Sequence, residues 1–299
     1  MLAGVLLLTG CAPDAPTTDR RPVVFAGMAV MADFVRRLAG EHMRVVNLLP
    51  AGADAHDFEP SLRDMTRLRE AALFVYNGGG VEHWADKTVR SLAGTPVVVV
   101  EASAGLLEAD EHTHEEHAHV EHEHEEHDHS DAHIWLDPML AAAQLRAIAN
   151  GLVAADPAHA ADYETNYAAA AEECTRLDAA CHQSLEPFEG SGLVVTHAGY
   201  GRFCAAYGLE QVPIAGFSDE EEPSAAQVAK VIDFVRDGGV STVFFSESGS
   251  SAVGETVARE TGAKTRVLYT METMCEDYFA AMYDNLETVT AALKEDKRP

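Results

Sequence analysis

Positive charge is scarce in this chain: 21 lysines and arginines stand against 49 aspartates and glutamates in 299 residues, giving a formal net charge of -28 at pH 7. Nucleic acids and anionic membrane surfaces need a cationic patch, so the imbalance argues against both as direct partners and favours cations near the protein. No Cys-x-x-Cys pair occurs, so a thiolate zinc site is not signalled. His-Glu-x-x-His is missing as well, and no general base is signalled by spacing, which counts against a secreted zinc hydrolase built on histidines and an activated water. The apolar run that opens the chain, from Met1 to Leu8, is too short to span a bilayer as a mature helix.

What the chain does have is histidine, gathered in one place. His112, His114, His117, His119, His122, His124, His127 and His129 account for eight of its 15 histidines and are interleaved with Glu111, Glu115, Glu116, Glu121, Glu123, Glu125, Glu126 and Asp128. Such a tract has almost nothing apolar to bury, so its composition predicts disorder. Neutral imidazoles beside carboxylates offer many interchangeable weak sites for zinc, copper or nickel. The chemistry is metal, and the specific site is expected elsewhere.

The N-terminal run closes in Leu8-Thr9-Gly10-Cys11, which resembles the bacterial lipobox whose cysteine is lipidated, although the usual positively charged start is missing. Cys11 is therefore the expected lipid anchor, and Ala12 to Arg21 a flexible tether. Four cysteines remain. Cys174 and Cys181 lie on one expected helix, about 10 Å apart along its axis, too far to bridge each other, while Cys204 and Cys275 are a possible pair.

From Pro22 onward, short apolar strands alternate with helix-period segments. Strands are expected at 23–26, 44–48, 73–76 and 96–100, the last a continuous β-branched run of the kind covered on both faces. Helices are expected at 31–38 and 62–72. Asp137-Pro138 and Asp156-Pro157 each place a proline after a capping aspartate, so helices open there and run to about Val153 and Leu185. The second would be about 40 Å long, enough to join two lobes. Strands at 193–196, 211–214, 242–246 and 266–268 then alternate with helices at 200–207, 224–236, 251–261 and 278–293. The fold class is α/β, with two lobes, each a mostly parallel sheet flanked by helices, joined by one long rigid helix. The divisions are 1–21 for signal and tether, 22–155 for the first lobe with its histidine-rich loop 110–132, 156–186 for the connector and 187–299 for the second lobe.

Ligands collect at the carboxyl ends of strands in open parallel sheets. His56 lies in the loop after the second strand, His197 directly follows the strand at 193–196, and His133 sits between the tract and a helix. All three can face one cleft, and three imidazoles with a carboxylate or water suit zinc. His42, His83, His159 and His182 are expected to be ordinary surface residues.

The segments Gly52 to Ser61, His133-Ile134-Trp135-Leu136-Asp137-Pro138 and Thr196 to Phe203 resemble the three ligand-bearing motifs of the zinc/manganese solute-binding proteins of ABC transporters, with likeness extending from about Pro22 to Leu293. The resemblance implies two α/β lobes with a metal between them, His56, His133 and His197 as ligands, and Zn2+ as the bound ion, delivered by a monomer to a membrane permease from the periplasm or cell surface. Membrane contact would be through the lipid anchor only, and the chain would not be an enzyme. A manganese or iron-binding member of the same family is the alternative, but nitrogen at His197, where the manganese branch tends to carry a carboxylate, moves preference toward zinc. The family's fourth position falls on Tyr269, which cannot serve as a carboxylate. That leaves Glu59, Glu247, Glu272 or water, with Glu247, at the end of a strand, ranked first.

Overall fold

The structure is a computed structural model that describes residues 19–107, 131–216, 223–247 and 251–296. Cys11, expected to carry lipid, and the eight tract histidines from His112 to His129 lie outside the described residues.

Among the described residues, eight short strands form two four-stranded sheets, all parallel. Strands β1 (Val23–Ala26), β2 (Arg44–Asn47), β3 (Leu73–Tyr76) and β4 (Val98–Glu101) make the first, in the order β2-β1-β3-β4. Strands β5 (Gly192–Val195), β6 (Glu210–Pro213), β7 (Thr242–Ser246) and β8 (Lys264–Leu268) make the second, in the order β6-β5-β7-β8. Parallel neighbours need crossovers, supplied by α1 (Ala29–Ala39), α2 (Leu62–Leu68) and α3 (Ala85–Ser91) in one lobe and by α6 (Gly201–Ala206), α7 (Ala225–Gly238) and α8 (Ala252–Thr261) in the other. Helix α4 (Pro138–Ala155) packs on the first sheet, α5 (Ala160–Leu185) runs between the lobes, and α9 (Tyr278–Asp296) ends the described chain.

Period-two alternation along the strands decides where the core lies. Val24, Ala26, Leu73 and Val75 of the first sheet and Leu193, Val195 and Phe244 of the second all point into one continuous apolar interior. Leu145 and Ile148 of α4, Leu177 of α5 and Met282 of α9 fill the space between the sheets. The alternate residues face outward: Phe25, Phe74 and Tyr76 pack under α2 and α3, while Val194, Val243 and Phe245 pack under α7 and α8. The lobes thus share a core, which fixes the ends of their strands relative to each other.

Asp137 caps α4 as its sequence implies, accepting from the N–H groups of Met139 at 2.7 Å and Leu140 at 3.3 Å. Asp156 does not cap. Its carboxylate accepts from His159 Nδ1 at 2.6 Å and from the Tyr163 hydroxyl at 2.8 Å, so the chain makes a 3-10 turn over Pro157–His159 before α5 begins. The 26 residues of α5 still span about 39 Å.

Other expectations shift further. Helix α2 stops at Leu68 rather than near Ala72. Strand β4 is flanked by apolar side chains on both faces, but it lies at the sheet edge and its valines stay half-buried. Helix α3 is absent from the sequence-based reading because its seven residues carry no side-chain cap and too little periodicity to register. Cys174, Cys181, Cys204 and Cys275 are all free thiols, so the suggested Cys204–Cys275 bridge is not made. Among the described residues no helix is long and apolar enough to cross a membrane.

In both sheets the strand order reverses beside the first strand, between β1 and β3 and between β5 and β7. The carboxyl ends at those two reversals open toward one another, and that is the crevice where open parallel sheets bind ligands.

Candidate metal site

Four side chains converge in this crevice: His56, His133, His197 and Glu272, whose ligand atoms all lie within 4.8 Å of one another. Each is placed by a different local device. His56, in the loop after β2, follows Asp54, whose Oδ1 accepts the His56 N–H at 2.8 Å. His133 repeats the arrangement: Asp131 Oδ1 accepts its N–H at 3.0 Å, and also its ring Nδ1–H at 2.7 Å. An aspartate bonding the backbone two residues on is a tight, preformed turn. In the second case it fixes the imidazole too, leaving Nε2 to face the crevice.

Asp131 is itself gripped from the second lobe, and the residue after it from the first. Its Oδ2 accepts the Arg202 N–H at 3.1 Å, Arg202 Nε donates to its carbonyl at 2.9 Å, and Asn77 at the end of β3 donates to the carbonyl of Ala132 at 3.1 Å. His197 follows β5 directly. Two residues on, Gly199 passes so close that a Cβ there would come within 2.8 Å of the His197 ring and 2.9 Å of the His133 ring, so any side chain would displace both imidazoles.

The separations within the cluster fit a small tetrahedral ion. His133 Nε2 lies 2.8 Å from Glu272 Oε1 and 3.1 Å from His197 Nε2, His197 Nε2 lies 3.3 Å from Glu272 Oε1, and His56 Nε2 lies 3.8 Å from Glu272 Oε2. Four atoms at zinc-ligand distance from one tetrahedral centre are about 3.3–3.4 Å apart, the middle of that range. Nε2 of His56 is buried without a hydrogen-bond partner, and Glu272 Oε1 sits against His133 Nε2 at 2.8 Å. With Nδ1–H committed to Asp131, those two atoms are both acceptors unless a proton or a metal ion lies between them. His133, His197 and Glu272 are almost wholly buried, whereas the His56 side chain keeps 16% of its surface, making it the solvent edge of the site.

Charge in the cluster is strongly coupled. Burial works to lower the His133 pKa, but the Glu272 carboxylate and the hydrogen bonds to Asp131 and Glu272 outweigh it and push the imidazole up to about 10. Burial would raise Glu272, yet the His197 and His133 rings hold it well below the usual carboxylate range. His56 is lowered, chiefly by burial. Both shifts act in one direction, toward a protonated His133 beside an ionised Glu272.

Glu247, ranked first from sequence as the fourth ligand, is not among the four. Its carboxylate is turned to the chain after β8, accepting from the N–H of Thr270 at 2.7 Å, the Thr270 hydroxyl at 3.0 Å and the N–H of Met271 at 2.7 Å. Glu272, two residues beyond, takes the ligand position. Glu59 lies 3.9 Å from His83, outside the cluster. The other described histidines sit against carboxylates away from the crevice: His42 by Asp162 at 2.8 Å, His159 by Asp156 at 2.6 Å and His182 by Asp178 at 3.7 Å. Asp131 went unnoticed in the sequence, although Asp54-Ala55-His56 and Asp131-Ala132-His133 repeat the same tripeptide at two of the three histidines.

Comparison with known proteins gives the chain's family. A family model described as zinc-uptake complex component A, periplasmic, matches residues 24–292. The chain is 35% identical over 272 residues to the high-affinity zinc uptake system protein ZnuA of Bacillus subtilis, covering 88% of this chain and 85% of that one. It is 30% identical to the zinc-binding lipoprotein AdcA of Streptococcus pneumoniae over 95% of its own length, spanning 58% of that longer protein. The crystal structure of the Zn(II)-bound ZnuA-like domain of AdcA superposes with a TM-score of 0.75 at 27% identity, over 91% of this chain and 99% of that one.

Proposed function

We propose that this chain, which belongs to the family of periplasmic zinc-uptake complex components, captures Zn2+ outside the cytoplasm and hands it to the membrane permease of an ABC transporter. Membership sets the class, a component of transport rather than an enzyme. The observation that carries the reading to this molecule is the convergence of three imidazoles and one carboxylate at the spacing of a tetrahedral ion. Three nitrogens and a single oxygen favour zinc over manganese, which prefers carboxylates, carbonyls and water in six-fold arrangements. His56, His133, His197 and Glu272 are the proposed ligands, with His56 as the point of entry.

In this reading residues 22–155 and 187–299 are the two lobes, 156–186 the connector, and Cys11 the lipidated anchor that keeps a monomer at the membrane, in the periplasm or at the cell surface. The histidine tract gathers zinc at many weak sites and passes it to the crevice. Removing Asp110 to Ser130 spares Asp131, so one tight site is expected to remain while the weak ones vanish. A calorimetric titration checks this, and loss of tight binding would reject the division of labour.

Asp131 gives a second test. It holds the His133 ring and accepts the Arg202 N–H, and removing such an outer carboxylate typically lowers metal affinity 10- to 100-fold. Asp131→Ala is expected to fall in that range when zinc is competed against a chromogenic chelator. Affinity unchanged within twofold would mean that His133 is oriented by something else.

A further inference from the structure

Glu272 is an unlikely ligand by sequence position, since it stands in a connection between β8 and α9 with no strand end to aim it. The chain around it is nonetheless held at every step. Tyr269 exchanges two hydrogen bonds with Asn285, at 2.8 Å each, the Trp135 indole donates to the Thr270 carbonyl at 2.7 Å, and the Tyr200 hydroxyl donates to the Leu268 carbonyl at 2.8 Å. The next two carbonyls cross to the other lobe. Met271 O accepts from Val30 N–H at 3.0 Å and Glu272 O from Ala29 N–H at 2.9 Å. These are first-turn N–H groups of α1, whose Met28 N-cap offers no side-chain acceptor, so the connection caps that helix with its own backbone.

Between these anchors Met271 adopts φ 64°, the only positive φ at a non-glycine among the described residues. L side chains rarely hold that left-handed conformation, and it persists only where the surroundings impose it. Just past the end of the neighbouring strand stands Glu247: β7 pairs with β8 so that Ser246 lies opposite Leu268, which sets Glu247 next to Thr270 and Met271. Its two oxygens take three donors there.

We propose that Glu247 is a positioning residue for zinc capture: its carboxylate fixes the left-handed turn at Met271 that aims Glu272 at the three imidazoles. The α1 N-terminus supplies the other half of the clamp. Glu247 thus acts through Glu272 without touching the ion, and the site owes its fourth ligand to the β7–β8 register. This inference rests on the reading of Glu272 as a ligand.

A double-mutant cycle tests it with zinc titrated into the full chain by chelator competition. Glu247→Ala is expected to weaken zinc binding about tenfold or more, within the span of outer-shell substitutions. Glu247→Gln keeps the shape and one oxygen while turning an NH2 toward a donor, so it is expected to fall between Glu247→Ala and the parent and keeps the test open if the alanine variant folds poorly. In a Glu272→Ala background, either Glu247 substitution is expected to change affinity less than twofold, because the carboxylate it positions is gone. An equal loss in both backgrounds, or Glu247 variants within twofold of the parent, overturns the proposal. Zinc affinity unchanged in Glu272→Ala alone would instead remove the reading of the site, and this inference with it.

Discussion

Replacing His133 by alanine is expected to weaken zinc binding by at least about a hundredfold, with the folded state retained. Four-ligand zinc sites bind with roughly 10–16 kcal/mol near neutral pH, so one ligand of four accounts for about 3 kcal/mol, a little over a hundredfold. His133 is the best-prepared of the four. It is buried, its Nδ1–H is committed to Asp131, and it stands within 3.1 Å of both His197 Nε2 and Glu272 Oε1. Loss of a ligand already oriented removes coordination that no neighbour is placed to replace. The same substitution at His42, which pairs with Asp162 on the surface, is expected to leave zinc binding unchanged and serves as the control. Comparable losses at both positions would mean that binding responds to stability rather than to coordination.

Lowering the pH from 8 to 6 is expected to cost about another hundredfold in affinity. The sign follows from which form binds. Zinc needs a neutral imidazole, and His133, pushed up to about 10 in the metal-free crevice, must release its proton to the solvent at any pH below that. One displaced proton makes affinity fall tenfold per pH unit. Burial lowers the His56 pKa and so favours its neutral form, and Glu272, held below the usual carboxylate range, stays ionised throughout. Calorimetry in buffers of different ionisation heat should find at least about one proton released per zinc. An affinity flat between pH 6 and 8 would contradict the imidazolium. Linkage gives the stability of the metal-free protein the opposite trend: the raised His133 contributes fully below its ordinary value of 6.5 and loses that contribution as pH rises through about 10.

The histidines of the site were legible because strand ends, once located, leave few places for a ligand to come from. His197 follows β5 without a break, and His56 lies in the loop that β2 opens. Glu272 was legible only as one candidate among several. Its placement depends on contacts that no local window holds, with the β7–β8 register bringing Glu247 beside Met271 and the start of α1 in the other lobe taking the Glu272 carbonyl. Glu247 was singled out for standing at a strand end, and that position does matter, but its carboxylate is spent on backbone donors. Asp131 had a signal, the repeated Asp-Ala-His, which becomes meaningful only when the first residue is seen to bond the third. In the fold, the alternation of strands and helices carried over almost element by element. The losses were local: α3 is too short and uncapped to mark itself, and β4 reads like a central strand because its valines alternate between two apolar layers even at the sheet edge.

Everything turns on whether one ion sits among those four side chains. Crystals of the full chain loaded with one equivalent of zinc, with diffraction recorded on both sides of the zinc absorption edge, locate the metal directly. A single strong anomalous peak is expected about 2.0–2.2 Å from Nε2 of His56, His133 and His197 and from a carboxylate oxygen of Glu272. A principal peak anywhere else in the chain, or one ligated without Glu272 and at least two of these imidazoles, would contradict it.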